Sequence, residues 1–173
     1  HDLITLTDNT FLLVLDRVSD PQNLGAILRT AECAGVTGVV LGRHRSVHVT
    51  PAVTKAAAGA IEHLPLALVG GIPAALSELS GAGVVTIGLD AGGASSLFDS
   101  LAGASTGASE PLAGPVALVL GAEGAGLSRL VSQRADLLVA IPLAGGLNSL
   151  NVSAAAAVAC FEVVRRRQTH LPN

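Results

Sequence analysis

Residues 141–167 read IPLAGGLNSLNVSAAAAVACFEVVRRR and join a polar, glycine-rich loop to an unusually apolar helix. Four polar residues, Asn148, Ser149, Asn151 and Ser153, surround the point where the helix should begin. A helix start needs about one side-chain cap, which leaves about three of these polar groups without a structural role. Amide and hydroxyl groups at the positive end of a helix suit a carboxylate, a phosphate or a ribose. The stretch therefore predicts a ligand site.

Upstream of this stretch, apolar runs alternate with helical patterns along the chain. The runs that predict strands are 11–15, 39–41, 66–69, 84–89, 116–120 and 137–141. Helices are predicted at about 22–35, 51–60, 73–79, 96–101, 128–133 and 150–167. Continuously apolar strands that alternate with helices indicate an α/β fold, a parallel sheet covered by helices on both faces. Ligands of such folds bind at the carboxyl ends of the strands, and polar or glycine-rich loops follow Leu89, Leu120 and Ile141.

Composition limits the classes of protein to which the chain can belong. The 173 residues are 50% hydrophobic, which predicts one domain, residues 1–173, with a substantial core. No apolar run approaches the roughly 18 residues that a membrane span needs, so no membrane association is expected. The two cysteines, Cys33 and Cys160, lack metal-ligand spacing, which predicts no metal site. Both lie in apolar helical patterns and are expected to be small buried residues of a cytoplasmic protein.

Two basic clusters contrast with the net charge of −3. One comprises Arg43, His44, Arg45, His48 and Lys55, and the other is 165–167. Each is compatible with a solvated surface, or for the arginine triplet with a favourable helix C-terminus, and equally with contacts to nucleic acid. The sequence leaves both interpretations open.

A first motif, PQNLGAILRTAE at 21–32, contains Asn23, Arg29 and Glu32. The apolar stripe of this helix at i, i+3, i+4 and i+7 starts at Leu24 and leaves Arg29 off the buried face. Arg29 and Glu32, three residues apart, are also compatible with an ordinary surface ion pair.

A second motif, GAEGAG, occupies 121–126 after a predicted strand. Its glycines do not match the G-x-G-x-x-G spacing of a dinucleotide site, which disfavours a nicotinamide-dependent oxidoreductase. A glycine-rich turn still allows close approach of the backbone to a ligand, and a simple turn leaves Glu123 unexplained.

Three patterns, N-x-G-x-x-x-R at 23–29, G-x-E-G-x-G at 121–126, and I-P-L with S-L-N-V-S within 141–153, resemble the signature motifs of the SpoU (TrmH-type) RNA ribose methyltransferases. The resemblance spans about residues 11–167. Further matches, Lys55, Ala58, Gly59, Ala60, Leu64, Pro65 and the ending CFEVVRRR, look most like the branch that methylates a guanosine ribose of 23S ribosomal RNA.

The resemblance implies a SPOUT fold with a C-terminal deep trefoil knot, a homodimer, and S-adenosylmethionine as the methyl donor. The family's donor-binding positions match Leu89, Gly121, Ile141, Leu143, Leu150 and Ser153. Its active-site positions match Asn23, Arg29, Glu123, Ser149 and Asn151. Arg29 is expected to complete a site with groups from the partner chain. A small apolar stripe on the last helix, Val152, Ala156, Ala159 and Val163, is a candidate contact with that partner.

The implied reaction is displacement of the sulfonium methyl by a ribose 2′-hydroxyl, with no metal required. Because a guanidinium stays protonated in proteins, Arg29 suits orientation of a phosphate and stabilisation of the alkoxide better than a role as base. Transfer RNA is the alternative substrate, and a catalytically silent RNA-binding scaffold is the alternative class. Many ribosomal members carry an additional N-terminal RNA-binding domain, and this sequence starts almost at the first family strand, which predicts a catalytic domain without it.

Overall fold

The computed structural model describes residues 6–43, 50–57, 59–101 and 112–168, and this part of the chain contains seven strands and six helices. The strands are β1 Phe11–Leu15, β2 Gly38–Gly42, β3 Leu66–Val69, β4 Val85–Leu89, β5 Ser95–Ser96, β6 Val116–Leu120 and β7 Leu137–Ala140. The helices are α1 Pro21–Cys33, α2 Pro51–Ala57, α3 Ile72–Gly81, α4 Leu97–Ser100, α5 Arg129–Arg134 and α6 Val152–Gln168. A 3-10 turn, Ala60–Glu62, follows α2.

All seven strands form one parallel sheet in the order β3-β2-β1-β6-β4-β7-β5. In the centre of this sheet Leu15 lies opposite both Leu41 of β2 and Leu120 of β6, so these three strands end at the same level. The loops that follow β1, β4, β6 and β7 therefore meet at one edge. The predicted α/β fold with a parallel sheet is confirmed.

Helices cover both faces of the sheet, as the apolar strands predict. Alternate residues of β1 separate the two layers: Leu13 belongs to the core cluster that contains apolar residues of α1, α2 and α6, and Leu12 to the cluster that contains residues of α3 and α5. Both strand residues are fully buried. Every residue of the central strands is buried in the core on one face of the sheet or the other. This burial explains why these strands are continuously apolar in the sequence.

Element boundaries differ from the predicted ones at a few helix ends and at β5. Helix α6 begins at Val152 rather than at residue 150, because the side chain of Asn151 caps its first turn. Helix α1 ends at Cys33, and Gly35 adopts a positive φ of 71° just beyond it. The two-residue strand β5 is too short to give an apolar pattern in the sequence and exists only through its pairing with β7.

Two expectations about burial are wrong. Cys33 is exposed, because it lies at the end of α1 and off the buried stripe, whereas Cys160 of α6 is buried and its burial raises the pKa of the thiol to about 12. The small apolar stripe of α6 does not face a partner: Val152 is 7% exposed and Ala156, Ala159 and Val163 are fully buried in the core of the chain itself. Helix α6 packs with α1 on one face of the sheet.

The arginine triplet at the end of α6 has structural partners. Glu162 is buried, and its carboxylate accepts hydrogen bonds from Arg165 at 2.7 and 2.8 Å and from Arg166 Nε at 2.8 Å. The bonds from Arg165 and then Arg166 outweigh the opposing effect of burial and hold the pKa of Glu162 below its usual value.

Arg167 fastens the end of α6 to the amino edge of the sheet. Its guanidinium donates to the backbone carbonyl oxygens of Asn9, Thr10 and Gly114 at 3.0, 3.1 and 2.7 Å. It also lies 5.7 Å from the centre of the Phe11 ring, within the range of a cation–π contact. The triplet is thus explained without nucleic acid, while the other basic cluster falls mostly on residues 44–49, outside the described residues.

Within the described ranges, no helix has the length and apolar character needed to cross a membrane.

We expect Gly25→Ala to destabilise the fold by about 1–3 kcal/mol, because the added methyl group would overlap Ala56 where α1 packs against α2. Gly81→Ala in α3 is the matched control, since a methyl group there meets nothing within 4 Å. The control should be neutral or slightly stabilising. Denaturant unfolding of both variants measures the difference, and equal stability of the two would contradict the close packing of α1 on α2.

We expect Glu162→Gln to destabilise the chain by about 1–3 kcal/mol at pH 7, because the charge-assisted bonds from two arginines are weakened. The folded-state pKa of Glu162 is lowered, so its contribution is complete above the unfolded value of about 4.3 and is lost as the pH falls through the folded value. Unfolding of both proteins between pH 7 and pH 3 should show the gap closing at acid pH. Glu78→Gln, at an exposed position of α3, is the control, and a pH-independent gap for Glu162→Gln would refute the ion-pair origin.

Candidate active site

Three segments that are far apart in the sequence meet at the carboxyl edge of the sheet. They are the start of α1, the loop 121–126 after β6, and the loop 141–151 between β7 and α6. These are the segments that carry the three sequence motifs.

Asn23, Glu123 and Asn151 form one hydrogen-bond network across these segments. Asn151 Nδ2 donates to Glu123 Oε1 at 2.9 Å and to Asn23 Oδ1 at 3.1 Å. Asn23 Nδ2 donates to the same carboxylate oxygen, Glu123 Oε1. Asn23 is only 6% exposed, while Glu123 and Asn151 face solvent. One residue from each motif thus contributes to a single polar cluster.

Asn151 serves the helix and the network at the same time. Its Oδ1 accepts from the backbone N–H of Ser153 at 2.9 Å and of Ala154 at 3.4 Å, and from the Ser153 hydroxyl at 2.5 Å. The side-chain oxygen caps α6, and the amide nitrogen of the same side chain is left to reach Glu123. A single residue supplies the cap, as the sequence suggests, and it fixes the start of α6 against the other two motifs.

The loop 121–126 is a tight turn that presents Glu123 near its tip. Ala122 and Gly126 exchange backbone hydrogen bonds of 3.1 and 2.9 Å, and Gly124 and Gly126 adopt φ values of 70° and 66°. Those values lie in the left-handed region, which favours glycine. At Gly121 a side chain has no room, because a methyl group there would overlap the backbone of Gly126. The glycines of this motif therefore set the position of the carboxylate.

Two residues after β1 hold the same loop from its other side, and motif spacing did not identify them. Asp16 Oδ2 accepts from the backbone N–H of Ser128 at 2.7 Å, and Arg17 Nη2 donates to the carbonyl of Gly126 at 3.4 Å. Arg17 has a φ of 60°, which is uncommon outside glycine. Their position in the sequence could have indicated them, because both residues directly follow a strand that ends at the ligand-binding edge.

Asp20 is a further residue that motif matching missed. Its Oδ1 caps α1 by accepting from Gln22 N at 2.9 Å, and its Oδ2 accepts from Asn23 Nδ2 at 3.2 Å. The Asp-Pro pair at 20–21 is a helix-start signal that would have identified it. Asp20 fixes the orientation of the Asn23 amide.

A cavity of about 470 Å³ opens beside the network. Its walls are the loops after β4, β6 and β7, and they contain the donor-binding candidates Leu89, Gly121, Ile141, Leu143 and Leu150 and the active-site candidates Glu123 and Ser149. The volume is within the ordinary range for small-molecule sites, as is the mixture of apolar walls with a few polar groups.

A larger cavity of about 720 Å³ lies elsewhere, between β3 and α3. Among the residues that line it, the charged side chains are Arg43 and Glu78, and the rest are apolar or glycine. It contains no motif residue. The smaller cavity, which motif residues line, is therefore the candidate site.

Two predicted site residues, Arg29 and Ser153, neither line the cavity nor bond to Glu123. Arg29 is exposed on α1, and within the described ranges it makes no hydrogen bond or ion pair. The alternative interpretation, a surface ion pair with Glu32, is therefore not observed. Ser153 does not line the cavity, and its hydroxyl is bonded to Asn151. In the same described part of the chain, no group of three or more His, Cys, Asp and Glu is arranged to hold a metal ion.

The chain matches known proteins over almost its whole length. The model of the SpoU rRNA methylase family matches residues 10–161. A 23S rRNA (guanosine-2′-O-)-methyltransferase of Shewanella oneidensis is 40% identical over 97% of this chain, and one of Pseudomonas putida is 41% identical over 91%. The chain covers 64% and 59% of the length of these two relatives.

Solved structures give the same result. The SpoU methyltransferase AviRb of Streptomyces viridochromogenes, crystallised in complex with the cofactor AdoMet, superposes with a TM-score of 0.83 at 28% identity, over 97% of this chain and 62% of that protein. The matched family region contains all three motifs and the cavity that they surround. The resemblance in the motifs is confirmed, and the chain belongs to the SpoU rRNA methylase family.

Proposed function

We propose that this chain is the catalytic domain of an S-adenosylmethionine-dependent methyltransferase that modifies a ribose 2′-hydroxyl, in a guanosine of 23S ribosomal RNA. The observation that carries the proposal is the network of Asn23, Glu123 and Asn151, one residue from each motif, beside a small-molecule cavity. The names of the two bacterial relatives support the substrate.

The cavity fits the donor by the chemistry of its walls. Leu89, Ile141 and Leu150 would hold the adenine between apolar side chains. Across the described residues, the N–H groups of 143–150 make no backbone hydrogen bond, which leaves them available to the polar edge of a purine. When bound, S-adenosylmethionine supplies a methyl group activated by a positively charged sulfur.

The hydroxyl that accepts the methyl group must be positioned and relieved of its proton. Asn23 and Asn151 hold the Glu123 carboxylate in place, so the polar cluster is preorganised at the mouth of the cavity. Arg29 is exposed and unpaired within the described residues, and its guanidinium suits a phosphate next to the reacting ribose. Because guanidinium remains protonated, Arg29 orients the phosphate and stabilises the alkoxide while the proton passes to phosphate or water.

The C-terminal segment of the proposed enzyme forms a deep trefoil knot. Strand β7 lies between β4 and β5, so the segment 90–94 that joins those two strands must pass over the end of β7. Gly93 lies against β7 so closely that a methyl group on it would be 2.7 Å from the Val139 carbonyl carbon. The residues that follow β7, from Ile141 on, line the same cavity as Asp90 and Ala91 of this segment, a proximity that supports threading.

The active form of the proposed enzyme is a cytoplasmic homodimer. Apolar side chains remain exposed around the cavity and on the outer face of α6, with Leu147 at 80% and Phe161 at 49%. These residues, rather than the buried stripe of α6, suit a partner. A partner would also bring groups to Arg29, which is separate from the network in one chain. Two free cysteines support a reducing compartment.

Two alternatives remain distinguishable by experiment. Transfer RNA as the substrate is separated from ribosomal RNA by mapping the methylated nucleotide. A silent RNA-binding scaffold is disfavoured because it has no need of a preorganised carboxylate next to a donor-sized cavity.

We expect the chain to bind S-adenosylmethionine and not NAD in calorimetric titrations, with the mass of a dimer in solution. The cavity walls suit a purine, and the glycine spacing at 121–126 does not suit a dinucleotide. NAD binding in preference to the methyl donor would overturn the proposed function. A folded dimer that binds neither ligand would favour the scaffold.

We expect Arg29→Lys to lower methyl transfer to ribosomal RNA by at least about 100-fold while leaving donor affinity unchanged, because a single ammonium cannot replace a planar, bidentate guanidinium. Arg134→Lys is the control, since Arg134 lies at the far end of α5 and bonds to Ser77. Activity is measured by transfer of labelled methyl groups. Near-full activity of Arg29→Lys would remove the assigned role.

A further inference from the structure

Asp90 is a charged residue in the wall of the candidate donor cavity that none of the motifs contains. It follows β4 directly and lines the cavity together with Leu89, Gly126 and Ile141. Its backbone N–H donates to the carbonyl of Val139 at 3.0 Å, which fixes the residue between the ends of β4 and β7. The carboxylate is therefore attached to a rigid part of the sheet edge.

The two carboxylate oxygens of Asp90 have different surroundings. Oδ1 accepts from the backbone N–H of Gly92 at 2.8 Å and closes a short turn. Oδ2 faces the opposite wall of the cavity, where a methyl group placed on Gly126 would lie 3.7 Å away. Among the described residues, no donor is bonded to Oδ2 and no cation pairs with the carboxylate. Oδ1 thus stabilises a turn of the backbone, and Oδ2 is available to a ligand within the cavity.

Water can satisfy an available carboxylate oxygen in an open cavity, and a ligand that displaces this water must supply a hydrogen-bond donor in its place. The apolar side chains of Leu89 and Ile141, which suit a purine, are next to Asp90 in the cavity wall. The ribose is the part of the methyl donor that is bonded directly to the purine. Vicinal ribose hydroxyls are also the groups that acidic residues at the ends of parallel strands commonly bind.

We propose that Asp90 binds the ribose hydroxyls of the methyl donor through Oδ2 and so adds a donor-binding residue that lies outside the three motifs. The inference rests on the proposed function, because it assigns a subsite within the same cavity. It concerns binding and orientation of the donor and involves no chemical step.

The test compares S-adenosylhomocysteine with 5′-methylthioadenosine, which keeps the adenine and the ribose but lacks the amino acid. Calorimetry on the full chain measures the affinity of wild type, Asp90→Asn, Asp90→Ala and the control Asp99→Asn for both ligands. Asp99 is an exposed carboxylate on α4, outside the cavity wall, so its substitution matches the change in net charge. Asparagine retains an oxygen for the Gly92 turn.

We expect Asp90→Asn to weaken both ligands by about tenfold, Asp90→Ala to weaken them at least as much, and Asp99→Asn to leave both unchanged. Weaker binding of S-adenosylhomocysteine alone would assign Asp90 to the ammonium group and overturn the ribose assignment. Unchanged affinity of both ligands in the two Asp90 variants would overturn the inference alone. A wild-type chain that binds neither ligand would overturn the proposed function and this inference with it. Far-ultraviolet circular dichroism confirms that each variant is folded, since the chain has no Trp or Tyr to give a near-ultraviolet signal.

Discussion

The hydrogen bonds that join Asn23, Glu123 and Asn151 are the constraint on which the candidate site depends. They connect positions separated by 100 and 128 residues in the chain. Asn23 lies in the first turn of α1, Glu123 in the turn after β6, and Asn151 at the start of α6, so the network fixes the starts of α1 and α6 relative to the turn after β6. A carboxylate that accepts two amide bonds has little freedom to rotate, and its free surface points to the cavity mouth.

Helix α6 transmits this constraint across the sheet because both of its ends are fastened. Asn151 ties its first turn to the carboxyl edge, and Arg167 ties its last turn to three carbonyl groups at the amino edge. Between these two ends, small residues of α6 are buried in the hydrophobic core, where α6 packs against α1. Arg167 gives up part of its hydration to make these bonds, and burial lowers the pKa of its guanidinium.

The two sides of the cavity are held by different kinds of interaction. Backbone bonds and glycine conformations shape the turn 121–126, while Asp16 and Arg17 brace it from β1. The loop 142–150 has none of these supports among the described residues, and its residues are exposed. The turn side of the cavity is thus held by more contacts than the loop side.

The sequence by itself determined the order and type of nearly all the elements, the parallel sheet with two covered faces, and the three motifs that identify the family. These follow from local patterns, since apolar periodicity, caps and glycine positions are read within a few residues. Tertiary structure alone decided that β7 pairs between β4 and β5, that the stripe of α6 packs inward, and that the arginine triplet binds Glu162 and backbone carbonyls. It also decided which polar residues meet at the cavity, Asp90 included. Periodicity shows that a side chain is buried or exposed, whereas its partner depends on the order of strands that are distant in sequence.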